Sequence, residues 1–432
     1  MNKQNNLVIR NARLVHETHT DVAVSDIYIQ NDVIVGINSA PADFDLSTAQ
    51  IIDAGKRLCS FALADLAVRL QERGGNHRDM TASILSAAVA GGVAHVAALP
   101  DSLPILDEPD LVSLLTTKSR AFALATVHPI GALTQGLKGE QLAEMMTLAD
   151  KGCVAFSNGD VPIRNTQVLQ RALGYAASFK LPVWLRVQDA SLGGGVVGAG
   201  AYASRLGLSG MSVAAETIPL HTLFELLRGM GQAAPKVHIC RISSARAVEL
   251  IRAAKAEGLT ITCDVNMHHL HLVDTDMGYF DSQFVFNPPL RSSSDRSALR
   301  AAVLDGTIDA VVSDHIAIDP DAKQLPVGDA EAGAVGVKWL LNLLVLLAQE
   351  ARVDVALTLA AAISRAYRIL GLTVPTWQSG TTASLVLFDE TVYQTLSTTQ
   401  VGTHLNTPYL GYELPAEVWT TVVNGHIVYA QG

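Results

Sequence analysis

Apolar and polar positions alternate at both ends of the chain and gather into longer apolar runs between them. The opening stretch, LVIRNARLV, SDIYIQ, VIVGIN and QIIDA, follows the two-residue period of half-buried strands, with a turn at Asn31-Asp32. The closing stretch repeats it in SLVLFD, WTTVV and HIVYA. Asn424-Gly425 separates the last two runs, and Asn-Gly between β-branched segments is the strongest short hairpin signal. Two β-rich ends without helical periodicity predict one composite sheet domain built from residues 1–57 and 373–432.

Residues 58–372 read differently: apolar strand, amphipathic helix, apolar strand, repeated. The strand candidates are Leu58–Leu66, Ala94–Leu99, Phe122–Val127, Cys153–Phe156, Pro182–Leu185, Lys236–Cys240, Leu259–Val265 and Asp309–Ser313. Helices fall between them, including DMTASILSAAVAGG with Asp79 as N-cap, GEQLAEMMTLADKG, TQVLQRALGYAASFK, SARAVELIRAAKAEG and AGAVGVKWLLNLLVLLAQEA. This alternation predicts an α/β fold of the (β/α)8 TIM-barrel type. An open doubly wound sheet is the rival, but no G-x-G-x-x-G follows any strand.

Composition changes the picture only by exclusion. The chain has 432 residues, 49% apolar and 17% charged, with a formal charge of -10, which favours a well-cored protein over a disordered one. The negative balance argues against broad binding to nucleic acid or anionic membranes. The start, MNKQNNLVIRNARLV, holds no apolar stretch long enough for a signal peptide or membrane span. Cys59, Cys153, Cys240 and Cys263 are scattered through apolar runs without a C-x-x-C pair, as expected of buried thiols in a reducing cytoplasm.

In a parallel barrel the chemistry sits just past the carboxyl ends of the strands. Those places hold Ala67 and Arg69, Asp101, His128, Asn158, Arg186, His238, and Asp314 with His315. A zinc centre needs at least three converging His, Cys, Asp or Glu donors. An arginine has no lone pair to give and repels a cation. The mouth therefore reads as metal-poor, and an Arg69–Asp314 or Arg186–Asp314 pair is expected to neutralise a buried Asp314. The alternative is two solvated surface arginines.

The run at His268, His269 and His271 is a second metal candidate, weighed against buried hydrogen-bonding histidines. His16, His19, His77, His95, His221, His404 and His426 read as structural or solvated. The glycine-rich DASLGGGVVGAGAYASRLGLSG lacks the G-K-[ST] of a phosphate loop and reads as a flexible loop over the mouth. No G-x-S-x-G supports acyl-enzyme chemistry.

The stretches VAFSNGDVPIRN, LGLSGMSVAAETI, VHICRISSARAVELIRAAKAEGLTITCDV, MHHLHLV, FNPPLR, DGTIDAVVSDHIAID, RILGL and VVNGHIVY resemble the dihydroorotases of the amidohydrolase superfamily. The resemblance covers nearly the whole chain and implies a barrel with a composite β domain. In that family the first strand ends D-x-H-x-H-x-R. Asp65 fits, but the metal-binding histidines fall on Ala67 and Arg69, and the substrate arginine on Gln71. The substrate asparagine falls on Asp101, and the bridging metal ligand on Asn158 or Gly159. Asp160 would have to be displaced to serve. The strand-five histidine falls on Arg186 and a later substrate histidine on Ile318, whereas His238, Asp314 and the substrate-binding Asn287 are kept.

The resemblance thus implies a pseudoenzyme with vestigial Asp314 and His315, no bound metal where active homologues hold zinc, and no cofactor. Within the family it is similar to the catalytically silent homologues that hold aspartate transcarbamoylase in a larger assembly for pyrimidine (UMP) biosynthesis. Such a chain would be a homo-oligomer inside a hetero-oligomeric complex, without nucleic-acid or membrane partners. The competing expectation is a divergent cyclic-amide hydrolase, metal-altered or metal-free, with Asp314 as base and His238 or His315 as electrophile. A small-molecule sensor using the barrel mouth is the third.

Overall fold

The computed structural model describes residues 5–71, 73, 79–401 and 406–431; His77 and His404 lie outside the described residues. The amino-terminal strands are β1 (Asn6–Val15), β2 (Thr20–Gln30), β3 (Val33–Ile37), β4 (Gln50–Asp53) and β5 (Leu58–Phe61). The barrel begins with β6 (Leu63–Val68), β7 (Val93–Ala98), β8 (Thr126–Ala132), β9 (Ala155–Ser157) and β10 (Val183–Arg186). Two short strands follow, β11 (Val197–Gly198) and β12 (Gly210–Met211), and then β13 (Val237–Cys240), β14 (Ile261–Asn266) and β15 (Ala310–Val312). The carboxyl-terminal strands are β16 (Leu385–Thr395), β17 (Glu413–Val423) and β18 (His426–Ala430).

β6 to β10 and β13 to β15 form one parallel eight-stranded sheet in chain order. Closure comes just past the last strand: Val68 bridges His315, with Arg69 N–H on the His315 carbonyl (3.0 Å) and His315 N–H on that of Ala67 (3.1 Å). Nearly every residue of these strands is buried. In a closed parallel barrel the helices cover the outer face of each strand and the other strands' side chains fill the inner one, so the strands run apolar without alternation. That is why their periodicity differs from that of the chain ends.

The ends make a second sheet in the order β18-β17-β16-β5-β1-β2-β3, with β4 beside β1. The two predicted turns pack on each other. A Cβ at Gly425 would lie 1.7 Å from the carbonyl oxygen of Asn31, so only glycine fits at the Asn-Gly turn. Its φ of +76° is also one that glycine adopts without strain.

Two expectations are corrected. The apolar run from Leu58 is not one barrel strand. It divides at Ala62, where β5 pairs with β16 and β1 in the end-derived sheet and only β6 enters the barrel. Ala62 N–H bonds Ser384 O (2.9 Å) and Leu63 N–H bonds Gly92 O (2.9 Å), handing the chain from one sheet to the other. The helix after it starts at Thr81 with Met80 at the cap position. Asp79 acts one residue early, its Oδ1 accepting from the Thr81 N–H (2.9 Å) and hydroxyl (2.7 Å).

The glycine-rich segment is ordered locally by pairing of β11 with β12. A Cβ at Gly195 would come within 2.2 Å of the Met211 nitrogen, so this glycine serves close backbone packing. All four cysteines are free and buried. No helix among the described residues is long and apolar enough to cross a membrane.

Candidate functional site

The carboxyl ends of the barrel strands converge on a buried network of charges. Arg69 follows β6, Asp101 follows β7, Asp160 follows β9, Arg241 follows β13 and Asp314 follows β15. Arg69 reaches three carboxylates at once: Nε to Asp101 Oδ2 (2.9 Å), Nη1 to Asp314 Oδ1 (2.9 Å) and Nη2 to Asp160 Oδ2 (2.6 Å). Arg241 grips two of them, Nη1 to Asp314 Oδ1 (2.8 Å) and Nη2 to Asp160 Oδ1 (2.6 Å). Arg73 completes the set, donating to Asp101 and lying 3.6 Å from Asp160. Asn266, at the end of β14, gives its Nδ2 to Asp314 Oδ2 (3.1 Å).

Local backbone geometry aims these groups. Arg241 and Asp314 have left-handed φ values of +54° and +46°, uncommon for residues with a Cβ. Gly159 lets the loop after β9 approach Asp101 closely: at φ +59°, an added Cβ would sit 3.0 Å from the Asp101 Cβ.

The ionisation of the network follows from its pairing. Burial alone would depress Arg69, but the carboxylates of Asp101, Asp160 and Asp314 outweigh it and hold the guanidinium above its ordinary range. Burial would likewise raise Asp314, but Arg241 and Arg69 reverse this and hold it below the usual carboxylate range. Asp160 is depressed in the same way by Arg241, Arg69 and Arg73. Three guanidiniums face three carboxylates, which leaves no net negative charge to attract a divalent cation.

The expected Arg69–Asp314 pair is present, but the Arg186–Asp314 pair is not. Arg186 Nη2 bonds Gln188 Oε1 and Asn287 Oδ1, both at 3.0 Å. Burial, reinforced by Arg241 nearby, lowers the Arg186 guanidinium to about 10. Asp314's second arginine is Arg241, which the sequence reading passed over although it directly follows the strand carrying His238. Arg73 was missed too, two residues beyond Gln71. Asp160, set aside as displaced, is the residue the strand-four loop contributes, whereas Asn158 is structural. Its Oδ1 accepts from Thr134 Oγ1 (2.6 Å) and its Nδ2 donates to Leu137 O (3.1 Å) and Val161 O (2.9 Å).

His238 does not join Asp314. Its ring is spent on Thr262 Oγ1 (Nδ1, 2.8 Å) and Asp264 Oδ2 (Nε2, 2.8 Å). Ala67 is buried and supplies only backbone, and Ile318 is a buried apolar side chain. Gln71 exchanges two hydrogen bonds with the backbone of Leu103. His315 accepts at Nδ1 from the N–H groups of Gly336 (3.0 Å) and Val337 (3.3 Å). His128 pairs with His95 (3.0 Å), and burial lowers the two to about 4 and about 3.

The histidine run is structural. His268 bonds the Tyr409 hydroxyl (3.2 Å), His269 the Pro289 carbonyl (3.2 Å) and His271 the Leu343 carbonyl (3.0 Å), each toward a different element. Burial lowers them to about 3, 4 and 3, so all three are neutral imidazoles.

These residues do not fit the zinc that the barrel family implies. Ala67 and Arg69 offer no donor, and both oxygens of Asp160 and of Asp314 are already bonded. The buried trio His238, Cys240 and Asp264 does bring three donor atoms within 4.8 Å. It is already closed by the His238–Asp264 bond and by Arg241 N–H on Asp264 Oδ1 (2.7 Å). Burial, then Asp264, hold the Cys240 thiol well above its ordinary range, and the Arg241 and Arg186 guanidiniums close by would repel a cation.

Comparison with known proteins agrees with this architecture. A family profile described as Dihydro-orotase-like matches residues 56–247. The chain is 37% identical over 422 residues to a dihydroorotase-like protein of Pseudomonas aeruginosa, covering 98% of this chain and 99% of that one. It is 39% identical over 407 residues to a dihydroorotase-like protein of Pseudomonas putida, covering 94% and 95%. It is 33% identical over 429 residues to a dihydroorotase of Geobacter sp. strain M21, covering 99% and 100%. Among solved structures, the L-hydantoinase of Arthrobacter aurescens superposes with a TM-score of 0.83 at 18% identity, covering 99% of this chain and 96% of that one. At that identity the likeness speaks for the fold alone. With end-to-end similarity above 30% and the barrel plus end-derived sheet in place, the chain belongs to the dihydroorotase-like family of amidohydrolase-fold proteins.

Proposed function

We propose that the chain is a non-catalytic dihydroorotase-like subunit that scaffolds aspartate transcarbamoylase for pyrimidine biosynthesis in the cytoplasm. It would act as a homo-oligomer within a hetero-oligomeric complex. The observation that carries this reading is the capture of Asp314 by Arg69 and Arg241. An effective general base has a pKa near the working pH, and two guanidiniums push this carboxylate the other way. A metal-activated hydroxide would need donors that the mouth has committed to arginines. Where the family offers an asparagine and a metal ligand to an anionic cyclic amide, this chain has Asp101 and Asp160, both already bonded to arginines. A barrel retained with its mouth closed by ion pairs fits a protein used for its surface.

Size-exclusion chromatography of the chain with and without its cognate aspartate transcarbamoylase tests the reading. The two are expected to co-elute as a species larger than either alone, and dihydroorotate hydrolysis with added zinc should stay at background. Separate elution overturns the scaffold role. Clear turnover favours the divergent cyclic-amide hydrolase instead.

A further inference from the structure

We infer that the turn between β1 and β2 is a divalent transition-metal site of the two-histidine, one-carboxylate type, suited to zinc or a cation of similar ligand preference. The sequence there is HETHTD, residues 16–21. The rings of His16 and His19 stack with centroids 4.5 Å apart and planes 4° from parallel. Both point Nε2 at one carboxylate: His16 lies 3.1 Å from Asp21 Oδ2 and His19 3.6 Å from Asp21 Oδ1. All three donor atoms lie within 4.8 Å of one another. A tetrahedral ion with bonds of about 2.1 Å places its donors about 3.4 Å apart, and the two imidazole–carboxylate spacings, each to its own oxygen of Asp21, lie on either side of that distance. Imidazole with carboxylate suits zinc, cobalt and nickel, and the 60% exposure of the His19 side chain leaves room for a water ligand.

The turn is held before any ion arrives. His16 N–H bonds His19 O (2.8 Å), closing the loop. Thr20 donates its N–H (3.0 Å) and hydroxyl (2.7 Å) to Asp354, and Glu17 Oε1 accepts from Ser364 Oγ (2.7 Å) and Arg368 Nη2 (2.9 Å). Those partners belong to the barrel side of the chain, so the turn is pinned across the seam between the end-derived sheet and the barrel. Preorganised donors lose less conformational entropy on binding, and an ion there adds one more tie to the seam.

The full-length, chelator-treated chain is titrated with zinc by calorimetry and with cobalt by visible absorption, and its Tm is followed in parallel. One ion per chain and a saturating rise in Tm are expected. His19→Ala and Asp21→Asn should each weaken zinc binding about tenfold or more and remove the Tm rise, while circular dichroism stays unchanged because both side chains are partly exposed. The inference is overturned if the wild type shows no saturable binding, or if both variants bind zinc as the wild type does. Zinc that persists in both variants would lie elsewhere. If it lies in the barrel mouth, it also counts against the non-catalytic reading, whereas loss of the turn site leaves that reading untouched.

Discussion

Two sets of ionisable side chains are buried or half-buried past the carboxyl ends of the barrel strands, and they meet burial in opposite ways. The network of Arg69, Arg73 and Arg241 with Asp101, Asp160 and Asp314 keeps its charges and pairs them. The run His268, His269 and His271 gives up charge, and its neutral rings bond a tyrosine hydroxyl and two carbonyls. Full charge is tolerable in the interior only with a partner of opposite sign, whereas a neutral imidazole needs one hydrogen bond. The difference is also why neither set offers a metal site: one has spent its carboxylates on guanidiniums, and the other spreads its rings over three separate neighbours.

Acid should separate the two sets most sharply. Histidines 95, 128, 268, 269 and 271 are lowered to between about 3 and about 4 in the fold, against about 6.5 in the unfolded chain. The unfolded state therefore binds more protons below pH 6.5. Their contribution is complete above that value and lost as pH falls toward the folded values, at up to about 1.4 kcal/mol per histidine per pH unit. Asp160 and Asp314 are depressed instead, so their contribution holds until pH drops below about 3.9. Denaturant titrations at stepped pH should show stability falling steeply between pH 6 and 4, before the carboxylates protonate (~3.9). A flat profile down to pH 4 would mean that the imidazoles are not buried neutral.

Substitutions come next in size. Asp314→Ala leaves Arg69 and Arg241 without their shared acceptor, and breaking a buried pair this way costs about 3–5 kcal/mol in a urea titration. Arg241→Met combined with Asp314→Leu removes both charges and should cost less than Asp314→Ala alone. The smallest effect is expected in the histidine run. His271→Phe keeps an aromatic ring but leaves the Leu343 carbonyl without its donor, a loss of about 1–3 kcal/mol by the same titration.

The barrel, the end-derived sheet and the Asn424-Gly425 hairpin were legible because each is written in local periodicity or turn chemistry. The Arg69–Asp314 pair was legible because a buried carboxylate requires a cation and both residues directly follow strands. The division at Ala62 was not, since Leu58 to Val68 is one continuous apolar run and only the pairing partners of β5 and β6 tell them apart. Arg241 and Arg73 were missed, and Asp160 was set aside, for a related reason. Which strand-end side chains meet depends on how the barrel closes and on the positive φ values at Gly159, Arg241 and Asp314. The HETHTD turn looked like any polar turn, and only the folded hairpin stacks its rings over one carboxylate.

Guanidiniums occupy the volume where the resemblance to dihydroorotases implies zinc. Crystals of the protein grown with zinc, measured with X-rays at the zinc absorption edge, test it most directly. No anomalous peak is expected within bonding distance of Asp314, Asp160 or His238, and the Arg69 and Arg241 guanidiniums should keep their bonds to Asp314 and Asp160. A zinc peak coordinated by those residues, with the arginines swung aside, would contradict it.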